Sequence, residues 1–272
     1  MRYAFRLVCV AAIAGILFAI GQSTYSWERN TYPMEEKTVH QHSQLLSAFY
    51  QCYERPRAAL EVLKRFRKHY PFSLITMVND GGNPVLEKVA NKYHANYEYA
   101  NRTSYLSSAM YFESCKAAVA YIRRILEASR HCDWLLLLED DVWVLKNIPF
   151  DSFIHDINGG HTGMILSENL MTVIKSRRPD LNTSQYGGNG GSVLKCSFFR
   201  EFLNSTSWEL DIENLILAKQ GIASDELISS IAYIYGGTIG IWEGYAETGF
   251  ASYWYRSISN SIVVLHQAKY LY

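Results

Sequence analysis

The chain lacks any surplus of charge, since 26 lysines and arginines are balanced by 26 aspartates and glutamates over 272 residues. A nucleic-acid-binding surface usually needs an excess of positive charge, so nothing at whole-chain level indicates a nucleic-acid partner. The chain also lacks an internal repeat and a low-complexity tract, and it has no CxxC or Cys/His spacing of the kind that binds structural zinc. The length of 272 residues is enough for one large domain or two small ones with a sizeable core.

The N-terminus contains an uncharged apolar stretch behind two basic residues, Arg2 and Arg6. As a helix, Leu7–Trp27 would extend over roughly 31 Å, just enough to cross a bilayer. The stretch is typical either of a cleaved signal peptide or of an uncleaved signal-anchor, and the anchor is favoured. We therefore predict a cytosolic tail (1–6), a transmembrane helix (7–27), a polar stem (28–42) and a lumenal catalytic domain (43–272), giving a single-pass type II protein of the Golgi or endoplasmic reticulum membrane.

Two further features agree with a lumenal domain. Three glycosylation sequons begin at Asn101, Asn182 and Asn204. Apart from Cys9 in the apolar stretch, the cysteines are even in number, which allows one or two disulfides or else buried free thiols. The sequence does not choose a pairing among Cys52, Cys115, Cys132 and Cys196.

Helical and strand patterns alternate through the first half of the domain. Such alternation predicts a parallel sheet in an α/β layered fold, whose ligands bind beyond the carboxyl ends of the strands. The predicted helices are 43–69 (with Pro56 near a helix start), 85–94, 111–130, 208–219 and 223–235 (with Ser224 as N-cap), and the predicted strands are 72–78, 96–100, 134–138, 164–166 and 262–265.

The most informative segment is an apolar run, Trp134–Leu138, that ends in Glu139, Asp140 and Asp141. Three carboxylates at the mouth of a buried strand cost free energy unless a cation receives them. Carboxylate oxygens suit Mg²⁺ or Mn²⁺, which often carry a substrate diphosphate. Alternation along the chain predicts that Glu139 and Asp141 share one direction, with Asp141 as a direct metal ligand. A neighbouring carboxylate would contact the ribose or a metal-bound water.

Other polar groups are candidates for the same crevice. Asp80, at a strand end in the turn Asn79–Pro84, would bind a nucleobase or ribose, or would only cap an Asx turn. Gly187–Gly191 lacks the spacing of a phosphate-binding loop and is interpreted as a close-approach wall for the acceptor. Asp225 and Glu226 at a helix start either complement the helix dipole or supply a general base. His266 would complete a metal shell, and Lys269 would neutralise a leaving diphosphate.

The order of these motifs resembles the GT-A superfamily of nucleotide-sugar glycosyltransferases. The matching pieces are Ser73–Asp80 as first strand, Leu135–Asp141 as a DXD-type motif with Glu-Asp-Asp in place of Asp-x-Asp, Gly187–Gly191 as acceptor-side loop, Ser224–Glu226 as base-bearing helix start, and Leu265–Lys269 as a late His/Lys element. The predicted anchor and stem also resemble the layout of Golgi glycosyltransferases.

The resemblance implies a GT-A-like, Rossmann-related α/β fold with a mostly parallel sheet flanked by helices. It implies a glycosyltransferase that uses a UDP- or GDP-sugar and Mn²⁺ or Mg²⁺, with a glycan, protein or lipid hydroxyl as acceptor. Asp80, Glu139, Asp140 and Lys269 would bind the donor, and Asp141, Glu139 and His266 would hold the metal. Proton removal by Asp225 or Glu226 would invert the anomeric centre; if neither carboxylate reaches the acceptor, retention is expected instead.

Two other functions compete with this one. A nucleotidyl- or phosphotransferase on a related sheet predicts a Lys/Arg-rich loop after the first strand, whereas Asn79–Pro84 contains no basic residue. A catalytically silent lumenal binding protein of the same fold predicts that Asp141→Asn leaves function intact.

Overall fold

A seven-stranded sheet lies at the centre of the protein, whose computed structural model describes residues 45–101, 105–106, 110–202, 205–247 and 261–266. Among these residues the helices are α1 (Pro56–His69), α2 (Val85–Lys92), α3 (Cys115–Ala128), α4 (Glu168–Arg177), α5 (Cys196–Phe202), α6 (Trp208–Ala218) and α7 (Ser224–Ile234), with a 3₁₀ turn at Phe150–Ser152. The strands are β1 (Leu46–Cys52), β2 (Ile75–Asp80), β3 (Asn96–Ala100), β4 (Tyr105–Leu106), β5 (Met110–Phe112), β6 (Trp134–Leu138), β7 (Trp143–Val144), β8 (Ile157–Asn158), β9 (Gly160–Ile165), β10 (Gln185–Gly187), β11 (Val193–Lys195), β12 (Ile222–Ala223), β13 (Ile239–Gly240), β14 (Tyr245–Glu247) and β15 (Val264–His266).

The central sheet has the strand order β13-β8-β11-β6-β1-β2-β3. Four pairings are parallel, and only β11 runs antiparallel to its two neighbours. This confirms the predicted mostly parallel α/β sheet. Because β6, β1 and β2 are mutually parallel, their carboxyl ends meet at one edge, where ligands of such sheets bind.

Side chains alternate between two hydrophobic layers, one on each face of the sheet. Leu135 and Leu137 of β6 pack on one face with helices α3, α6 and α7, whereas Leu136 and Leu138 pack on the other with α1 and α2. Helix α1 buries Ala59, Val62, Leu63 and Phe66, the spacing of one helical face. The strand that carries the acidic cluster is therefore buried on both sides and rigidly held.

The predicted helix over 43–69 is partly wrong. Residues Leu46–Cys52 form the central strand β1, all of it buried, and the helix begins only at Pro56. A strand covered on both faces carries apolar residues without alternation, so Leu46 and Phe49 happen to fit a helical period while belonging to a strand. Two smaller boundaries also shift: residue 111 lies in β5, and the N-cap of α7 is Ala223 rather than Ser224.

The cysteines follow the free-thiol alternative. Cys52, Cys132 and Cys196 are buried and Cys115 is half-buried, and all four are free. The thiols of Cys132 and Cys196 are hydrogen-bonded neighbours, which lowers the pKa of Cys132 and raises that of Cys196.

The predicted location in the Golgi or endoplasmic reticulum membrane is wrong on the present finding. Within the described ranges, no helix is both long enough and apolar enough to cross a bilayer. The segment 7–27 and the predicted boundaries after residues 6, 27 and 42 lie outside the described residues, so the domain boundaries stay predictions.

Removing a central core side chain tests the sheet assignment. Leu136 is fully buried, and Leu136→Ala should lower the free energy of unfolding by about 2–5 kcal/mol, because it removes buried methyl groups and leaves a cavity. The matched control Leu217→Ala, at a side chain that is 78% exposed, should change it by about 0.5 kcal/mol or less. Urea unfolding measures both, and equal effects would contradict the assignment.

Candidate functional site

The acidic cluster divides between two directions at the carboxyl end of β6. Glu139 and Asp141 both face His266, whose Nε2 lies 3.4 Å from Glu139 Oε2 and 3.6 Å from Asp141 Oδ1. Asp140 instead accepts a hydrogen bond of 2.6 Å from the hydroxyl of Tyr50 on β1. The backbone alternation therefore separates two carboxylates that face His266 from a third, half-buried one that bonds to Tyr50.

A small separate sheet sets the position of His266 beside the acidic cluster. Strand β15, which ends at His266, pairs in parallel with β14 and antiparallel with β7, with Leu265 opposite Trp143. Because β7 begins two residues after Asp141, this pairing fixes the imidazole beside the acidic turn. His266 and Asp141 are almost fully buried, with side chains 7% and 9% exposed, whereas the Glu139 side chain is 38% exposed and opens the site on one side.

The three side chains fit a divalent cation. One ligand atom from each of Glu139, Asp141 and His266 lies within 4.8 Å of the others. Adjacent ligands of an octahedral ion with metal–ligand distances of about 2.1 Å are about 3 Å apart, and opposite ones about 4.2 Å apart. The observed separations of 3.4 and 3.6 Å fall in this range. Two carboxylates and an imidazole are a suitable donor set for Mn²⁺ or Mg²⁺.

The glycine-rich loop lies directly against this triad. A Cβ on Gly190 would lie 2.7 Å from Glu139 Cδ, and one on Gly191, whose φ is +85°, would lie 2.8 Å from Val264 Cγ1. The prediction of a close-approach wall is therefore right about the backbone, but the group approached is the acidic cluster. Its role toward an acceptor stays a prediction.

Asp80 ends β2 and is fully buried. Its carboxylate lies 3.7 Å from Arg124 Nη1, and the same guanidinium donates to Gln51. In the turn after β2, the side-chain oxygen of Asn79 accepts a hydrogen bond from Gly82 N–H. Asp80 ends β2 and Asp140 follows β6, the two strands that flank β1, and both carboxylates raise the pKa of the Cys52 thiol after the larger effect of burial. The predicted contact of Asp80 with a nucleotide stays a prediction.

The two acidic residues at the start of α7 differ in their surroundings. The Glu226 carboxylate is held by the Lys219 ammonium and by the backbone N–H of Ala223. Asp225 is half-buried and accepts from the backbone N–H of Glu226. Burial raises the pKa of the Tyr121 phenol, and Glu139 and Asp225 raise it further, so both carboxylates lie within electrostatic reach of this ring. Asp225 thus remains the candidate base near the cluster.

Lys269 lies outside the described residues. Several neighbours of the candidate site residues were missed in the sequence: Tyr50, Arg55, Arg124, Asn189 and Tyr245. Arg55 lowers the pKa of Asp140 through space, yet in the sequence it stands only as a residue before a helix. Of the five, Asn189 alone had a signal, as the polar residue inside the glycine-rich loop.

No protein-family model matches the chain, and the search of curated proteins finds no match. Among solved structures, an active-site mutant of LgtC superposes with a TM-score of 0.51 at 12% identity, over 81% of this chain and 86% of that one. The galactosyltransferase LgtC with donor and acceptor sugar analogues gives a TM-score of 0.49 at 13% identity, over 81% and 86%. Core-mannan synthase A of Aspergillus fumigatus in its Mn/GDP form gives 0.43 at 8% identity, over 76% and 75%. At 12% identity the superposition on the LgtC mutant shows similarity of fold alone, and the mixed α/β architecture fits the predicted GT-A-like fold.

Asp140 gives the site a testable pH dependence. Burial raises its pKa to about 6, with further raising by Asp141 and Glu139, against lowering by the Tyr50 hydrogen bond and by Arg55. The pKa of an aspartate in the unfolded chain is about 3.9. Between about pH 4 and 6, Asp140 therefore binds more protons in the folded state than in the unfolded state. The free energy of unfolding that this carboxyl contributes falls as the pH rises through that range. In EDTA, Asp140→Asn should therefore gain stability relative to the unsubstituted protein from pH 4 to 7, as measured by urea unfolding. A constant difference across that range would contradict this.

Proposed function

We propose that this protein transfers a sugar from a nucleotide-sugar donor to a hydroxyl acceptor, with Mn²⁺ or Mg²⁺ held by Glu139, Asp141 and His266. The observation that carries the proposal is the convergence of these three ligand atoms within 4.8 Å at the carboxyl end of a parallel strand. That edge of the sheet is where ligands bind in α/β folds of this kind. The GT-A-type fold, common to this chain and LgtC, supports the same reaction class.

The ion, when bound, would act as a Lewis acid that neutralises the departing nucleoside diphosphate. The chain's own residues orient the donor: the half-exposed Glu139 faces the opening, while buried Asp141 and His266 fix the direction of approach. Asp80 is proposed to hold the nucleotide, with Arg124 fixing its carboxylate. UDP- and GDP-sugars are the proposed donors, and a glycan, protein or lipid hydroxyl is the proposed acceptor.

Asp225 is the proposed general base. Glu226 is already neutralised by Lys219 and tied to the helix start, which leaves it poorly suited to accept a proton. Removal of the acceptor proton by Asp225 on the face opposite the leaving diphosphate would invert the anomeric centre.

The turn after β2 argues against a nucleotidyl- or phosphotransferase. Backbone N–H groups of Gly81 and Gly82 both bond to Asn79, through its backbone and side-chain oxygens, so they do not point outward as a phosphate cradle. A Cβ at Gly82 would lie 1.6 Å from the Tyr53 carbonyl, so the turn packs closely on the chain instead.

A panel of nucleotide sugars, scored for binding and hydrolysis with and without Mn²⁺, tests the proposal. We expect a Mn²⁺-dependent response to at least one donor. Asp141→Asn should reduce this Mn²⁺-dependent response at least about 100-fold. Loss of a residue that only supports a metal ligand already lowers metal affinity or activity about 10–100-fold, and Asp141 is proposed to be a ligand itself. The matched control Asp151→Asn, at an exposed carboxylate in the 3₁₀ turn, should retain it. No Mn²⁺-dependent response to any donor would overturn the enzyme proposal, and Mn²⁺-dependent binding without turnover would favour a binding protein.

Substitutions at the start of α7 separate the two candidate bases. Asp225→Asn should lower kcat about 10²–10⁴-fold, the usual contribution of a general base, while leaving Mn²⁺ affinity unchanged. Glu226→Gln should mainly lower stability, because it leaves the Lys219 charge without its carboxylate. Proton NMR of the first-formed product should show an inverted anomeric centre. A retained centre, or an Asp225→Asn variant with full kcat, would contradict the assignment.

A further inference from the structure

A hydrogen-bond network lies behind His266, on the side away from the carboxylates. His266 Nδ1 is 3.2 Å from Asn189 Nδ2 and 3.2 Å from the Tyr245 hydroxyl, whereas Nε2 faces Glu139 and Asp141. A neutral imidazole carries its proton on one nitrogen only. The groups around Nδ1 therefore decide whether Nε2 offers a lone pair or an N–H to the acidic cluster.

The orientation of Asn189 follows from its other contacts. The Ser192 hydroxyl donates to Asn189 Oδ1 at 2.9 Å, which turns the amide nitrogen toward Tyr245 and His266. Asn189 Nδ2 then donates to the Tyr245 hydroxyl at 2.6 Å. Because an amide nitrogen donates and does not accept, Asn189 can satisfy Nδ1 only when that nitrogen is unprotonated.

Tyr245 differs from Asn189 because its hydroxyl both donates and accepts. It accepts from Asn189 and lies 3.3 Å from the carbonyl oxygen of Gly190, to which it donates. With its proton directed there, the hydroxyl oxygen lies 3.2 Å from Nδ1 of His266 and can act as an acceptor toward an Nδ1–H. Of Asn189 and Tyr245, which both lie 3.2 Å from Nδ1, only the Tyr245 oxygen can receive that proton.

We propose that Tyr245 is a positioning residue that selects the Nδ1–H form of His266, so that Nε2 presents a lone pair to a divalent cation. This inference rests on the metal site of the proposed function. Without the hydroxyl, Asn189 would favour the opposite form, in which Nε2–H donates to Glu139 and Asp141 and the third ligand is lost. Metal-bound histidines usually donate their other ring N–H to an oxygen, and that partner sets ligand geometry and basicity.

The fold holds this network in place. Strands β14 and β15 pair with Tyr245 opposite Val264, and the rings of Tyr245 and His266 lie 6.5 Å apart. A Cβ on Gly191 would lie 3.1 Å from the Tyr245 ring, so the glycine allows the loop to bring Asn189 and the Gly190 carbonyl to the hydroxyl. Asn189, Tyr245 and His266 are all buried, which strengthens these hydrogen bonds.

Direct Mn²⁺ binding tests the inference without an activity assay. The full chain is first stripped of metal with EDTA, the EDTA is removed, and Mn²⁺ is then added while electron paramagnetic resonance measures the free ion. Tyr245→Phe should weaken Mn²⁺ binding about 10–100-fold. Adding Asn189→Asp to Tyr245→Phe should raise the Mn²⁺ affinity again by at least about tenfold, because the new carboxylate can accept the hydrogen bond from Nδ1–H in place of Tyr245. The matched control Tyr235→Phe removes a phenol hydroxyl that donates to the Asp211 carboxylate on α6, and should leave affinity unchanged.

The outcomes separate the inference from the proposed function. Absence of Mn²⁺ binding in the unsubstituted protein would overturn the metal site and the inference with it. Normal binding by a folded Tyr245→Phe variant, or a loss that Asn189→Asp does not restore, would overturn the inference alone. If Tyr245→Phe does not fold, ¹⁵N-histidine NMR of the metal-free unsubstituted protein, at a pH where the imidazole is neutral, decides, with His266 assigned by His266→Gln. A proton on Nδ1 supports the inference, and a proton on Nε2 overturns it.

Discussion

The structure depends on how three adjacent carboxylates are accommodated at the end of a strand that is buried on both faces. Withdrawing such charges from water costs several kcal/mol each unless partners compensate. The chain meets this cost by dividing the cluster: Asp140 accepts a hydrogen bond from Tyr50, which lowers its pKa, while burial has the larger effect and raises the pKa to about 6. Glu139 and Asp141 turn toward His266. A divalent cation would balance the negative charges of Glu139 and Asp141, and the proposed reaction depends on such an ion at this place.

The surrounding elements can be understood as supports for this site. The small sheet of β7, β14 and β15 brings His266 to the acidic turn. The glycine-rich loop packs Gly190 on Glu139 and links onward to α7, where the Ser229 hydroxyl exchanges hydrogen bonds with the backbone of Gly187. Asp225 lies in the first turn of α7, so one continuous set of contacts runs from the proposed metal ligands to the candidate base. Small movements of this loop would therefore affect both.

The proximity of the candidate ligands was easier to predict from the sequence than the elements that hold them. An apolar run ending in acidic residues predicts a strand with carboxylates at its end, so Glu139 and Asp141 could be expected to lie together, and the structure brings His266 beside them. Their role as metal ligands stays a prediction. Strand β1 was taken for helix because its burial on both faces removes the alternation that marks a strand. Tyr245 and Arg124 gave no local signal, because their roles arise from strand pairing and helix packing between distant segments. The ion pair with Lys219 that neutralises Glu226 likewise depends on the folded geometry around the start of α7.

The most direct test of the central claim is the anomalous X-ray scattering of manganese in crystals of the protein grown with Mn²⁺. The account predicts a peak at about 2.0–2.2 Å from one oxygen of Glu139, one oxygen of Asp141 and Nε2 of His266. A map with no peak among these three side chains, at a Mn²⁺ concentration that saturates binding in solution, would contradict it.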